Sequence, residues 1–191
     1  MIRIGILGDI GSGKSYAAKN FGYPVFNADF EVGKLYKSDR EIFNKLNKIL
    51  PNYIHSFPIN KNEISRAILV NNSNLKIIIK IVHLEIRKKM DLFLKENKNK
   101  KIVILDIPLL LENNINKKND ILIFVQSNKI EILNRLKKRK GFNPRLLKKF
   151  KKIQLPLDYK KKKSDFIIKN NFNKLKIKKD ISDILKKNFI K

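Results

Sequence analysis

Eight consecutive residues, Gly8-Asp9-Ile10-Gly11-Ser12-Gly13-Lys14-Ser15, set Gly8 and Gly13 with four residues between them and follow the second with a lysine and a hydroxyl. The chemistry open to such a run is phosphate binding. Without side chains at the glycines, successive backbone N–H groups can curl around a phosphate, and the helix that follows adds its positive end. Lys14 then reaches the β- and γ-phosphates of a nucleoside triphosphate, and the Ser15 hydroxyl is of the type that ligates Mg²⁺. Gly11, Ser12 and Gly13 supply the cradle. Of seven glycines in the chain, Gly5, Gly8, Gly11 and Gly13 crowd into this one stretch.

Phosphoryl transfer needs a group to orient or deprotonate the acceptor and another to neutralise developing charge. Asp29 and Asp106 each read as the end of an apolar strand, so both carboxylates are expected at the sheet edge that carries the phosphate loop. Asp29 suits a general base, with a strand or helix cap as the plainer reading. Asp106, after Ile102-Val103-Ile104-Leu105, has the setting of a metal-side acid. Arg135 and Arg139 are four apart, hence on one face of a predicted helix. They could close over a triphosphate, although solvated charge on a basic helix explains them too. His83 lies among apolar residues and reads by itself as structural. His55 carries no signal, and no His/Cys cluster has metal-ligand spacing.

The elements that must position these groups alternate. Residues 2–7 read as a buried strand, Lys14 to Phe21 as a helix, and Pro24 to Ala28 as a second strand. From Phe30 to Asn99 the apolar spacing is helical. Strands return at Lys101 to Asp106 and Asp120 to Gln126, and the apolar run Ile107 to Leu111 also reads as buried strand. A basic helical stretch from Lys129 to Tyr159 breaks at Gly141-Phe142-Asn143-Pro144 into two helices. Asp165 to Lys169 is a last short strand, and Ile177 to Phe189 a closing helix. The expected fold class is α/β, a three-layer nucleotide-binding fold with a parallel sheet, a helical substrate-binding insertion and a helical lid. As one domain over 1–191, it divides into a core (about 1–31, 101–128 and 159–191), an acceptor-binding region (about 32–100) and a lid (about 129–158).

A chain of 191 residues with 42% hydrophobic side chains can bury one substantial core. The net charge of +27 taken alone suggests a nucleic acid or anionic membrane partner. Only seven of the 44 basic residues are Arg, however, and the lysines are scattered through a chain rich in Asn and Ile. A solvated lysine surface is favoured over a polyanion site, and the aromatics are not interleaved with a basic stripe. There is no cysteine and hence no disulfide scaffold. Met1-Ile2-Arg3-Ile4 runs directly into the loop, so no leader is expected, no apolar run reaches membrane-spanning length, and the expected location is cytoplasmic.

Taken together, several segments resemble the dephospho-CoA kinase family over nearly the whole chain. Gly5 to Ser15 is similar to that family's opening loop, Asn27-Ala28-Asp29 to its Asp-Ala-Asp segment, and Asp106-Ile107-Pro108-Leu109-Leu110-Leu111-Glu112 to its Asp-x-Pro-Leu-Leu-Phe-Glu stretch. The spacing of Gln154, Pro156, Lys160, Asp165 and Asn170 is also that family's, and Arg135, Arg139 and Gly141 fall where its lid arginines and turn are expected. Departures fall mostly on the acceptor side: Asn27 for Asp, Gly33 for a basic residue, Asn60-Lys61 for Asp-Arg, Leu84 for Pro, and Phe150 for a lid Arg. The resemblance implies ATP and Mg²⁺ as cofactors and dephospho-CoA as the acceptor, phosphorylated on its ribose 3′-hydroxyl. It implies catalytic roles for Asp29, Lys14 and Arg139. Nucleotide binding falls to residues 11–16, Tyr16 included, with Arg135, Arg139 and Asn170. Substrate binding falls to Asp29, His83, Arg87, Pro108, Leu109 and Glu112, and metal binding to Ser15 and Asp106. Two rivals stay open, a nucleoside or nucleoside monophosphate kinase and an NTP-dependent nucleic-acid-binding protein.

Overall fold

The computed structural model describes residues 1–188. Five strands form a single parallel sheet in the order β2-β3-β1-β4-β5. They are β1 (Ile2–Gly8), β2 (Val25–Asn27), β3 (Ile102–Asp106), β4 (Ile121–Gln126) and β5 (Phe166–Lys169). Their near-continuous Ile, Val and Leu content is what a parallel sheet covered on both faces requires. Ile4, Ile6, Ile102, Ile104, Ile123, Val125 and Ile168 are fully buried. The sheet packs against α1 (Lys14–Lys19) and α9 (Lys174–Asn188) through Ala17, Ala18, Ile177 and Ile181. The closing helix therefore begins three residues earlier than its apolar spacing indicates, because Asn173 accepts the N–H groups of Leu175 and Lys176 and caps it there. Phe189 lies outside the described residues.

The stretch from 28 to 96 holds helices and no strand, as its spacing predicts: α2 (Ala28–Ser38), α3 (Arg40–Ile49), α4 (Lys61–Val70) and α5 (Asn72–Glu96), with residues 50–60 forming turns and loop between α3 and α4. Three further helices follow β4, α6 (Lys129–Lys137), α7 (Pro144–Lys152) and α8 (Leu157–Lys162). The abundance of Asn has a local use. The side chains of Asn60, Asn128 and Asn143 accept the first N–H groups of α4, α6 and α7, and Asp39 does the same for α3.

The described chain divides into two compact units, residues 1–27, 96–142 and 153–188 in one and residues 28–95 and 143–152 in the other. The first contains the sheet. In the second, α4 and α7 pack together, Lys149 donates to Asn72, and the buried Glu63 carboxylate accepts the N–H groups of His55 and Ser56 and the Ser56 hydroxyl. Of the stretch 129–158, α6 belongs to the first unit and α7 to the second.

Four expectations are corrected. Ile107 to Leu111 is not a strand. Beyond Asp106 the chain coils into turns, with Leu110 N–H bonded to Ile107 O and Ile115 N–H to Leu110 O. Pro108 has no N–H for a ladder, and Ile107 and Leu110 are buried there instead. Asp29 does not end a strand: β2 stops at Asn27, and Asp29 is the second residue of α2, where a carboxylate suits the positive helix end. Arg135 and Arg139 do not share a helix face. The α6 helix ends at Lys137, Arg139 N–H closes a tighter bond to Leu136 O, and the chain turns through Gly141. The basic stretch yields three helices because Pro156 disfavours helical backbone at Leu155 and starts α8 afresh.

Candidate active site

The sheet register assembles the phosphate loop and its neighbours. Gly8, the last residue of β1, pairs with Val125 of β4. The loop from Asp9 to Gly13 then leaves the carboxyl edge of the central strand and enters α1. A Cβ on Gly8 would lie 2.6 Å from Val125 O and 2.8 Å from Ser12 Oγ, and Gly8 has φ of 144°. Gly13, at φ 93°, leaves room for the Asn170 amide, which would be only 2.4 Å from a Cβ there. Lys14 Nζ donates to Asp9 O at 2.8 Å and Gly8 O at 3.2 Å, so its ammonium sits inside the loop's own curl. Ser12 is wholly buried, and its hydroxyl has no hydrogen-bond partner. Ser15 is exposed in the first turn of α1, and Tyr16 packs partly against the sheet core.

Asp106 ends β3 with 2% exposure, and Asn27, its register partner at the end of β2, donates its side-chain amide to Asp106 Oδ2 at 2.5 Å. An amide at position 27 can make this bond to a carboxylate, whereas a second ionised carboxylate there would repel it. Ser15 and Asp106 offer hard oxygen donors, a set that suits Mg²⁺. Among the described residues no group of three His, Cys, Asp or Glu side chains is gathered around one point. An ion held here would complete its shell with phosphate oxygens and water, as Mg²⁺ commonly does.

The segment after Asp106 is fixed from inside the protein. Glu112 Oε1 accepts from Lys160 Nζ at 2.6 Å and from Leu155 N–H at 2.9 Å. Its other oxygen is buried with no hydrogen-bond partner. The Glu112 charge is thus engaged by Lys160, and Pro108 and Leu109 are half-buried in the turns between. The remaining members of the spaced motif are explained as well. Asp165 accepts Leu122 N–H at 2.8 Å and ties β5 to β4, and Asn170 donates to Ser12 O at 2.7 Å while accepting Phe172 N–H at 2.7 Å. Arg135, exposed on α6, lies with its guanidinium 4.2 Å from the Phe172 ring centre. Arg139 is exposed in the turn beyond α6.

In the second unit Asp29 borders a cavity of about 200 Å³ lined also by Gly33, Tyr36, Lys61, Ile64 and Phe150. Burial raises the pKa of the Tyr36 phenol, keeping it protonated as a donor. His83 is half-buried on α5, and burial first, then the charge of Arg87 one turn on, lowers its pKa. The sequence reading missed Ser127, Phe172 and Tyr36 as site neighbours. A lone Ser or Phe carries no pattern of its own, and only the register of β1, β4 and β5 brings Ser127 and Phe172 to the loop.

A family model of dephospho-CoA kinase matches residues 2–176. The chain belongs to the dephospho-CoA kinase family. A dephospho-CoA kinase of Wolbachia sp. subsp. Brugia malayi is 34% identical over 187 residues, covering 95% of each chain. The crystal structure of TT1252 from Thermus thermophilus superposes with a TM-score of 0.77 at 24% identity, over 98% of this chain and 97% of that one. The dephospho-CoA kinase from Campylobacter jejuni has a TM-score of 0.63 at 22% identity, over 97% and 96%. Both share the fold. The dephospho-CoA kinase family comprises kinases that pass a phosphoryl group from ATP to dephospho-CoA, and this membership decides among the three functions the sequence left open.

Proposed function

We propose that this chain phosphorylates the ribose 3′-hydroxyl of dephospho-CoA, with ATP bound by the loop from Gly11 to Tyr16 and the acceptor bound through the cavity beside Asp29. The observation that carries the donor half is the loop itself, with glycines where a side chain would strike Val125 O or Asn170 and with Lys14 drawn into its curl. Lys14 serves the β/γ-phosphates, and Arg135 and Arg139 lie on a basic segment suited to neutralising charge on the transferred group. Asn170 acts on the nucleotide by holding the loop. Asp106 and Ser15 would hold Mg²⁺, which when bound shields the phosphate charge so that the hydroxyl can approach.

On the acceptor side, Asp29 orients the hydroxyl and takes its proton. Apolar walls at Ile64 and Phe150, with donors at Lys61 and Tyr36, give the cavity the mixture that fits a molecule with a base, a sugar and phosphate oxygens. His83 and Arg87 extend the acceptor surface along α5, and Pro108 and Leu109 contribute from the turn that Glu112 anchors. Catalysis then rests on positioning and on exclusion of water, which would otherwise accept the phosphoryl group. No helix among the described residues is long and apolar enough to cross a membrane. A donor regenerated in the cytoplasm fits a cytoplasmic site of action.

The test is coupled ADP release with dephospho-CoA, AMP, CMP and a nucleoside in turn, followed by location of the new phosphate on the product. Release dependent on dephospho-CoA, with phosphate on the 3′-oxygen, is expected. Turnover with a nucleoside or its monophosphate and none with dephospho-CoA would overturn the assignment.

A further inference from the structure

The Ser12 carbonyl is held from outside the phosphate loop by two side chains of distant origin. Ser127 Oγ donates to it at 2.9 Å and Asn170 Nδ2 at 2.7 Å. Both arrive through the register of the sheet. Gly8 pairs with Val125, which puts Ser127 just beyond the end of β4 and beside the loop, and Gln126 pairs with Lys169, which puts Asn170 next to Ser127. Asn170 is 3% exposed and is itself fixed, its N–H on Gln126 O and its Oδ1 on Phe172 N–H. The hold is close enough that position 13 admits only glycine.

A peptide unit is planar, and in the trans form its C=O and N–H point in opposite directions. The bond from Ser12 to Gly13 is trans, since the cis peptide among the described residues is Phe57-Pro58. With the Ser12 carbonyl pinned outward by two donors, the Gly13 N–H must face inward, toward the hollow of the loop. We infer that Ser127 and Asn170 are positioning residues that together clamp the Ser12 carbonyl and so aim the Gly13 N–H at the donor phosphates. The inference rests on the reading of this loop as the ATP site. A carbonyl with two donors keeps its orientation when one is lost, because the other still satisfies it. With both lost, a buried carbonyl is left unpaired and the peptide can turn over, which carries the N–H out of the site.

The two substitutions are therefore expected to act synergistically. Ser127→Ala and Asn170→Ala singly should weaken ATP binding, measured by calorimetry on the full chain, by about two- to fivefold each. The double variant should weaken it by about tenfold more than the product of the two. The loss of contact to Phe172 accompanies Asn170→Ala in both backgrounds and cancels from the comparison. KM for dephospho-CoA should stay within about twofold of wild type, whereas a general loss of structure would raise both KM values. If the double variant does not fold, Asn170→Asp takes its place, made alone and with Ser127→Ala: it keeps an acceptor for Phe172 N–H and removes the donor to Ser12 O, its added charge is common to both variants and cancels, and Ser127→Ala should raise KM for ATP more in this background than in wild type. Ser127→Thr, which keeps the hydroxyl, should restore ATP binding lost in Ser127→Ala. Multiplicative single losses, or equal rises in both KM values, would overturn the clamp. A wild-type chain that binds no ATP would overturn the donor-site reading, and the clamp with it.

Discussion

The Lys160 ammonium sits 2.6 Å from the Glu112 carboxylate, with the two side chains only 1% and 8% exposed. Two charges so removed from water are held by each other and by Leu155 N–H, and breaking the pair is worse than never having made it. Lys160→Met should therefore cost about 3–5 kcal/mol in urea unfolding, because it strands the Glu112 carboxylate. The double variant Lys160→Met/Glu112→Leu should recover most of that loss. Since Glu112 ends the turns that follow Asp106, the single variant should also raise KM for dephospho-CoA. A single variant as stable as wild type would show that the pair carries no such role.

Arg135 over the Phe172 ring gives a second expectation. Phe172 has φ of 61°, an uncommon backbone for a bulky residue, and it is kept there by the Asn170 side chain on its N–H. The ring then offers its face to the guanidinium at 4.2 Å. An exposed contact of this kind is worth about 0.5–1 kcal/mol. Phe172→Leu should weaken ATP binding about two- to fivefold in the wild type, and by much less in an Arg135→Ala background. Equal effects in both backgrounds would detach the ring from the arginine.

The sequence made the alternation of strands and helices plain, since apolar runs bounded by Asp or Gly and helical spacing elsewhere have few other solutions. It identified the phosphate loop because four glycines, Lys14 and Ser15 form one local pattern. What it concealed was non-local. Ile107 to Leu111 is as apolar as a strand, and only the place of Pro108 just past β3 and the burial of Leu110 turn it into a coil. The family spacing from Gln154 to Asn170 was visible as spacing, but its physical reasons were not: Lys160 serves Glu112, Asp165 serves Leu122, and Asn170 serves Ser12. Ser127 could not be singled out at all, because its partner becomes adjacent only when β4 pairs with β1. The departure at Asn27 likewise acquires a meaning only through its bond to Asp106.

His83 predicts how stability changes with pH. Burial, and then the charge of Arg87, holds its pKa in the folded chain below the ordinary 6.5. Below 6.5 the unfolded chain therefore takes up a proton that the folded chain still refuses, and folding loses stability. The contribution is fully present above the unfolded value and is lost as pH falls from there through the folded value. Urea midpoints measured from about pH 7.5 down to about pH 5 should fall more steeply for wild type than for His83→Gln. Parallel curves would show that His83 is titrating as it does in the unfolded chain.

Asp29 carries the sharpest expectation about turnover. It lies in the first turn of α2, two residues beyond the Asn27 that holds Asp106, and it borders the cavity that Tyr36 and Lys61 supply with donors. Asn in its place keeps the shape and the hydrogen-bonding reach but is not a base at neutral pH. If Asp29 takes the acceptor proton, Asp29→Asn should lower kcat by on the order of 10²–10⁴. ATP binding should be untouched, because Asn keeps the size of the side chain and the phosphate loop retains its bonds from Ser127 and Asn170. A role limited to holding the acceptor would instead raise KM for dephospho-CoA with kcat preserved. Rapid-quench measurement of the first turnover separates the two, since a slow chemical step removes any burst of ADP. Near-normal kcat in the variant would remove Asp29 from the chemistry.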